Sequence, residues 1–133
     1  YSSRYAGPDF MKGKPDGTKI SQDEQNIFIV QQTSDAIKAG YAGGRKAHYT
    51  CAMVLYMGPD RLFVCQETME GEIIDDISNA RGTGGFGYDP LFYLPEFGKT
   101  AAELTADEKN AISHRGKASR LLKKLAEDLL STK

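Results

Sequence analysis

Apolar and polar positions alternate in three different ways along this chain. From Ser21 the apolar and small residues Ile27, Val30, Ser34 and Ile37, with Gln31 among them, recur at roughly three to four positions. That spacing predicts a helix. Ser21 with Glu24 three residues on has the form of a capping box at its start, and Gly40 is a natural stop. From Arg45 the pattern changes. Arg45–Met57 and Arg61–Glu70 are rich in β-branched, aromatic and apolar residues and are separated by the turn residues Gly58-Pro59-Asp60. This predicts a long β-hairpin. The first arm is apolar on both faces near its end, so it is expected well inside a sheet.

Gly71–Ile74 extends the second arm or starts another strand, and Asp75–Gly85 is polar and glycine-rich, hence a loop. Pro90–Leu94 is short, apolar and flanked by prolines, which predicts an edge strand or extended segment. Thr105 with Glu108 repeats the capping-box spacing. Ala118, Leu121, Leu122, Leu125 and Leu129 then mark one face of a C-terminal amphipathic helix, with Lys117, Arg120, Lys123 and Lys124 read as its solvated surface. The fold class expected is α/β: one domain over residues 1–133, with a twisted mixed sheet, a long hairpin and flanking helices. Tyr1–Lys19 reads as loop.

Composition narrows the function classes. The chain has 133 residues, 40% hydrophobic and 26% charged, with a net charge of -1. That is a globular composition without the positive field that a nucleic-acid polymer requires. Cys51 and Cys65 are too few for a disulfide scaffold, sit in apolar runs, and are read as core thiols. No apolar run is long enough to span a bilayer and no leader opens the chain, so no membrane partner and a cytoplasmic location are expected. The first residue is Tyr1 and not Met.

Two segments carry candidate chemistry. Gly82-Thr83-Gly84-Gly85-Phe86-Gly87 formally matches a dinucleotide-binding fingerprint. It lacks the strand before it, and Pro90 opposes the helix after it, so that reading is rejected. What remains is a loop that presents Phe86 and Tyr88 as flat faces, with the Asp89 carboxylate beside them. A purine needs stacking for its face and hydrogen bonds for its edge. The same composition suits a tight surface turn whose aromatics enter the core. In the second segment, Ser113 is a natural N-cap that puts His114 and Arg115 in the first helical turn, where the dipole disfavours cations unless a ligand or an acidic neighbour offsets them. Asp107, Glu108 and Glu103 are the acidic neighbours available.

Taken together, Thr83–Phe92, Gly98-Lys99-Thr100, Ala102-Glu103-Leu104 and Lys109–Ala118 resemble the two signature segments of the inosine triphosphate pyrophosphatase family, in order and at similar spacing. Tyr1–Gly7 and the Arg45-Lys46-Ala47 opening of the hairpin resemble it too, and Asp9–Ala42 departs from it. The resemblance implies hydrolysis of inosine, deoxyinosine and xanthosine triphosphates to the monophosphate and pyrophosphate, with Mg²⁺, in a homodimer. It implies base stacking on Phe86 with Gly87, Tyr88 and Asp89 beside it, and contacts to the base edge from Lys109, His114 and Arg115. The family's phosphate loop and catalytic carboxylates are expected upstream of Tyr1, and Asp75 and Asp76 do not match those positions. The chain therefore reads as the later portion of a longer enzyme, without the first part of the family fold. The alternative is an inactive purine-nucleotide-binding or dimerisation module.

Overall fold

The structure, a computed structural model, describes residues 20–131. The expected loop Tyr1–Lys19 and the Tyr1–Gly7 segment lie outside the described residues. Helix α1 covers Gln22–Lys38, strand β1 Lys46–Tyr56, β2 Leu62–Ile73, β3 Phe92–Leu94 and β4 Lys99–Thr100; helices α2 (Ala106–Ile112) and α3 (His114–Ser131) follow. The strands hydrogen-bond in the order β1-β2-β3-β4. β3 runs antiparallel to β2, with Glu72 opposite Tyr93, and antiparallel to β4, with Tyr93 opposite Thr100. The described residues divide into two compact units, one of residues 20–47 and 71–103, the other of residues 48–70 and 104–131.

In the first unit, α1 starts as its sequence requires. The Ser21 hydroxyl accepts the Glu24 N–H, and the Glu24 carboxylate accepts the Ser21 N–H at 2.9 Å. Gly40 lies just past its end. The buried face is rotated from the predicted one: Gln25, Asn26 and Val30 are buried, whereas Ile27 is exposed. Two amides can turn inward because each finds partners. Gln25 accepts the Tyr88 hydroxyl at 3.3 Å and donates to the Ile20 carbonyl, and Asn26 accepts the Gln22 amide at 2.9 Å. Val30, Ile74 and Leu91 form the core, with Ile29, Ile73, Ala80, Tyr88 and Tyr93 against it. Within this unit, Arg45 donates to the Ile74 carbonyl at 2.9 Å and to the Ser34 hydroxyl at 3.0 Å.

β3 is not an edge strand: β2 and β4 flank it. Pro90 is accommodated because it lies before the strand, in the 3-10 turn Asp89–Leu91. β4 has only two residues, too few to read from a hydrophobic pattern. β1 is likewise corrected, since it lies at the end of the strand order, and its even-numbered positions face solvent.

The second unit contains the hairpin arms, α2 and α3. One hairpin face is half-buried along its length. The other exposes Val54, Tyr56, Leu62 and Val64, each more than half accessible. Helix α3 binds the half-buried face: Lys117 Nζ donates to the Thr68 carbonyl at 2.9 Å, and Cys65 Sγ lies 3.5 Å from the Ala118 carbonyl. Both cysteines are free thiols, half-buried as expected for packing residues. Ala118 is buried, but Leu121 of the predicted apolar face is 47% exposed.

Candidate functional site

The glycine-rich loop is held from within and from one side. Phe86 N–H donates to Asp89 Oδ2 at 2.8 Å, and Asp89 N–H returns to the Phe86 carbonyl at 3.3 Å. The Asp89 side chain is therefore turned inward, with the residue only 5% exposed, while Phe86 stands 67% exposed. Tyr88 goes the other way, its ring against the core and its hydroxyl on Gln25. The two aromatics thus separate the two readings open to the sequence: Tyr88 anchors the loop, and Phe86 is displayed.

The turn Thr100–Glu103 runs along this loop. The Gly84 N–H donates to the Ala102 carbonyl at 3.1 Å, and the Ala102 N–H to the Asp89 carbonyl at 3.3 Å. The Thr100 hydroxyl donates to the Arg81 carbonyl at 2.8 Å. Gly82 is required at this approach. Its φ is +81°, and a Cβ there would lie 2.5 Å from the Ala102 carbonyl carbon. Only the 3-10 turn Asp89–Leu91 and then β3 follow the loop, with no α-helix, which agrees with rejecting the dinucleotide fingerprint.

In the second unit, the Thr105 hydroxyl accepts the Glu108 N–H and the Glu108 carboxylate accepts the Thr105 N–H, starting α2 as its spacing predicts. Lys109 is half-buried in the last turn of that helix, where its charge suits the dipole. Ser113 caps α3 by accepting the Gly116 N–H at 3.0 Å. His114 is half-buried and stacks on Tyr49, with centroids 5.2 Å apart and planes 16° from parallel. Arg115 is exposed. Lys109, His114 and Arg115 are therefore brought together at one helix-to-helix corner, and Phe86, Gly87, Tyr88 and Asp89 at one loop.

Sequence reasoning missed Tyr49 and the Thr100–Glu103 turn. The signals were present. Tyr49 falls on the half-buried parity of β1, and Thr100 and Glu103 have the same spacing as the two capping boxes.

Asp75 and Asp76 are occupied by the adjoining turn Ile77–Asn79. The Asn79 amide donates to Asp75 at 2.7 Å, and the Ser78 N–H donates to Asp76 at 2.8 Å. The Asn79 bond holds the Asp75 carboxyl below its ordinary value of 3.8, with Arg45 adding to it, and the Ser78 bonds do the same for Asp76. A depressed folded-state pKa stabilises the turn above the unfolded value and is lost as the pH falls through the lower folded value. Acidification below about pH 3.8 is thus expected to release the Ser78 amide, raising its hydrogen-exchange protection loss relative to the β2–β3 amides. Asp76→Asn should remove that pH dependence; an amide shift of Ser78 that titrates unchanged in the variant would contradict the assignment.

A cleft of about 540 Å³ in the first unit is lined by Arg45, Ile74, Asp75, Arg81, Thr100 and Glu103, among others, and by none of the predicted site residues. Among the described residues, no three His, Cys, Asp or Glu side chains are grouped so that they could hold a metal ion, and no helix is long and apolar enough to cross a membrane.

The profile of the Ham1 family matches residues 1–125. The chain belongs to the Ham1 family. Among its Ham1 relatives, the dITP/XTP pyrophosphatase of Escherichia coli (strain K12) is 39% identical over 124 residues, covering 92% of this chain and 54% of the relative. That of Clostridium perfringens is 39% identical over 129 residues, covering 97% and 53%. Among solved structures, the Ham1 protein of Staphylococcus aureus superposes with a TM-score of 0.68 at 37% identity, covering 96% of this chain and 57% of that one. A HAM1 protein from Coxiella burnetii gives 0.70 at 36%, with the same coverage. The chain spans about half the length of the relatives it matches.

Proposed function

We propose that this Ham1 chain recognises the base in an enzyme that hydrolyses non-standard purine nucleoside triphosphates (ITP, dITP, XTP) to the monophosphate and pyrophosphate. The observation that carries the reading is Phe86: a largely exposed ring, held out from a glycine loop by its own backbone bond to a buried carboxylate. Exposed aromatic rings on a fixed backbone suit a stacking ligand. The relatives named dITP/XTP pyrophosphatase support the choice of ligand.

Phe86 takes the face of the base, flanked by Gly87 and Tyr88. Hypoxanthine and xanthine carry a 6-oxo acceptor and an N1–H donor. Lys109 or Arg115 donates to the oxygen, with His114 beside them on the edge. Asp89 accepts from N1–H; a carboxylate has lone pairs enough to hold the Phe86 N–H as well. Adenine reverses both groups, so each contact is mismatched: the cation meets a 6-amino donor, and the buried Asp89 carboxylate meets the bare N1 acceptor. Mg²⁺ dependence and a homodimer belong to the same proposal and rest on the resemblance; a cytoplasmic location is proposed with them. The described residues offer no cluster that fits a metal ion, so no step of the chemistry is assigned to them through one.

The test joins these 133 residues to the N-terminal portion of the Escherichia coli relative and measures pyrophosphate release with Mg²⁺. Turnover of ITP at least 100-fold above ATP is expected from the chimera, and nucleotide binding without turnover from the chain alone. A folded chimera that prefers ATP, or releases no pyrophosphate from any of the three nucleotides, would falsify the proposal.

A further inference from the structure

Three Ser/Thr-x-x-Glu sequences occur in the described chain: Ser21 with Glu24, Thr100 with Glu103, and Thr105 with Glu108. The first and third start helices. The second does not, since the residues after Thr100 form a turn and Leu104 leads into the cap of α2. Yet one half of the box is present. Glu103 Oε2 accepts the Thr100 N–H at 2.8 Å, and the Glu103 N–H donates to the Thr100 carbonyl at 3.0 Å. A capping device is closed around a turn that begins no helix.

What this turn holds is the glycine loop. The Thr100 hydroxyl, in a residue 2% exposed, fixes the Arg81 carbonyl at the loop's entry. The Ala102 carbonyl accepts the Gly84 N–H in its middle, and the Ala102 N–H donates to the Asp89 carbonyl at its exit. Gly82 has no side chain, so the loop lies directly on the Ala102 backbone. Entry, middle and exit are thus bonded to two residues of one turn, Thr100 and Ala102, and the exit residue is the one whose carboxylate holds Phe86.

We infer that Thr100 and Glu103 are positioning residues for the Phe86 ring. Glu103 closes the turn, the turn fixes the loop, and the loop fixes the ring against which a purine stacks. This rests on the base-recognition reading above. The physical reason is preorganisation: a displayed aromatic on a freely moving glycine loop would have to be ordered at each binding event, and the brace removes that cost beforehand. Neither residue needs to touch the nucleotide.

The experiment uses the 133-residue chain, amide hydrogen exchange, and titration with inosine monophosphate followed by amide shifts. In Glu103→Ala, exchange at Gly84 and Phe86 is expected to rise at least 10-fold while the β1–β2 hairpin amides stay within twofold of the parent. Inosine monophosphate should bind about 10-fold more weakly. Glu103→Gln keeps an acceptor oxygen and should stay within threefold on both readouts. Thr100→Val, which loses the hydroxyl bond to Arg81, should resemble Glu103→Ala. Hairpin amides accelerating as much as the loop would show a merely global role and overturn the inference, as would unchanged loop exchange. The Phe86→Ala variant separates the two readings. If Phe86→Ala loses binding and Glu103→Ala with a loosened loop does not, the brace is wrong. If Phe86→Ala itself binds like the parent, the base-recognition reading fails, and the positioning role falls with it.

Discussion

Gly116→Ala is expected to cost the fold about 2–3 kcal/mol, a loss of roughly 10 °C in Tm for a chain of this size. Ser113 is the only residue between α2 and α3. The turn is tight enough that a Cβ on Gly116 would stand 1.9 Å from the Asn110 carbonyl oxygen. Relief by a rotamer change is not available, because the obstacle is backbone. Nor can that oxygen drift freely, since Arg120 donates to it at 2.9 Å. Alanine's higher helix propensity offsets only about 1 kcal/mol. Gly98→Ala is the control, with a positive φ of +61° but nothing within 4 Å of its Cβ. It should cost about 1 kcal/mol through strain alone. Equal Tm for Gly116→Ala and the parent would mean that the α2–α3 corner is not closed as described. The variant also reports on the candidate site, because His114 and Arg115 precede Gly116 in the same helical turn.

Phe86→Ala should do the opposite, leaving stability nearly untouched and removing recognition. The ring is 67% exposed, so its loss forfeits little burial. Base-on-aromatic stacking is worth about 1–3 kcal/mol, which corresponds to roughly 10- to 100-fold in affinity. Isothermal titration with inosine monophosphate checks the size of the effect, and a thermal melt checks the fold. Phe86→Tyr keeps the π-face and should bind within a few fold of the parent; Phe86→Leu keeps apolar area without it and should fall between. Unaltered affinity in Phe86→Ala would remove the ring from the site.

What could be read in advance follows from how local each signal is. The two helices with capping boxes, α1 and α2, start where a hydroxyl and a glutamate stand three residues apart, and the hairpin turns at Gly58-Pro59-Asp60, because these structures are decided within a few residues. The failures are non-local. β3 is an inner strand only because the two residues Lys99 and Thr100 pair with it. β1 was expected inside a sheet on the strength of apolar residues on both faces, but its place is set by which strands lie beside it, and there Val54 and Tyr56 remain exposed. In α1, the buried amides Gln25 and Asn26 displaced the apolar stripe as guide, since Gln25 finds its partners, Ile20 and Tyr88, outside the helix, and Asn26 finds Gln22 one turn back. The candidate residues themselves were visible as types. Their division of labour was not: that Tyr88 anchors while Phe86 is displayed depends on where the core lies.

Arg120 shows what such division means for interpreting natural variation. Its charge and exposure group it with Lys123 and Lys124, an outward set in which lysine and arginine would be exchanged freely. Its guanidinium instead spans two carbonyls at the end of α2, those of Asn110 and Ala111. Those are acceptors that a helix end leaves unsatisfied. Holding both at once takes the planar fork of arginine, which an ammonium does not reproduce. A survey that scored Arg120→Lys as neutral because charge and exposure are kept would therefore misfile it. The change belongs with losses at a helix terminus, and its nearest casualty is Lys109, one residue before the carbonyls that Arg120 secures.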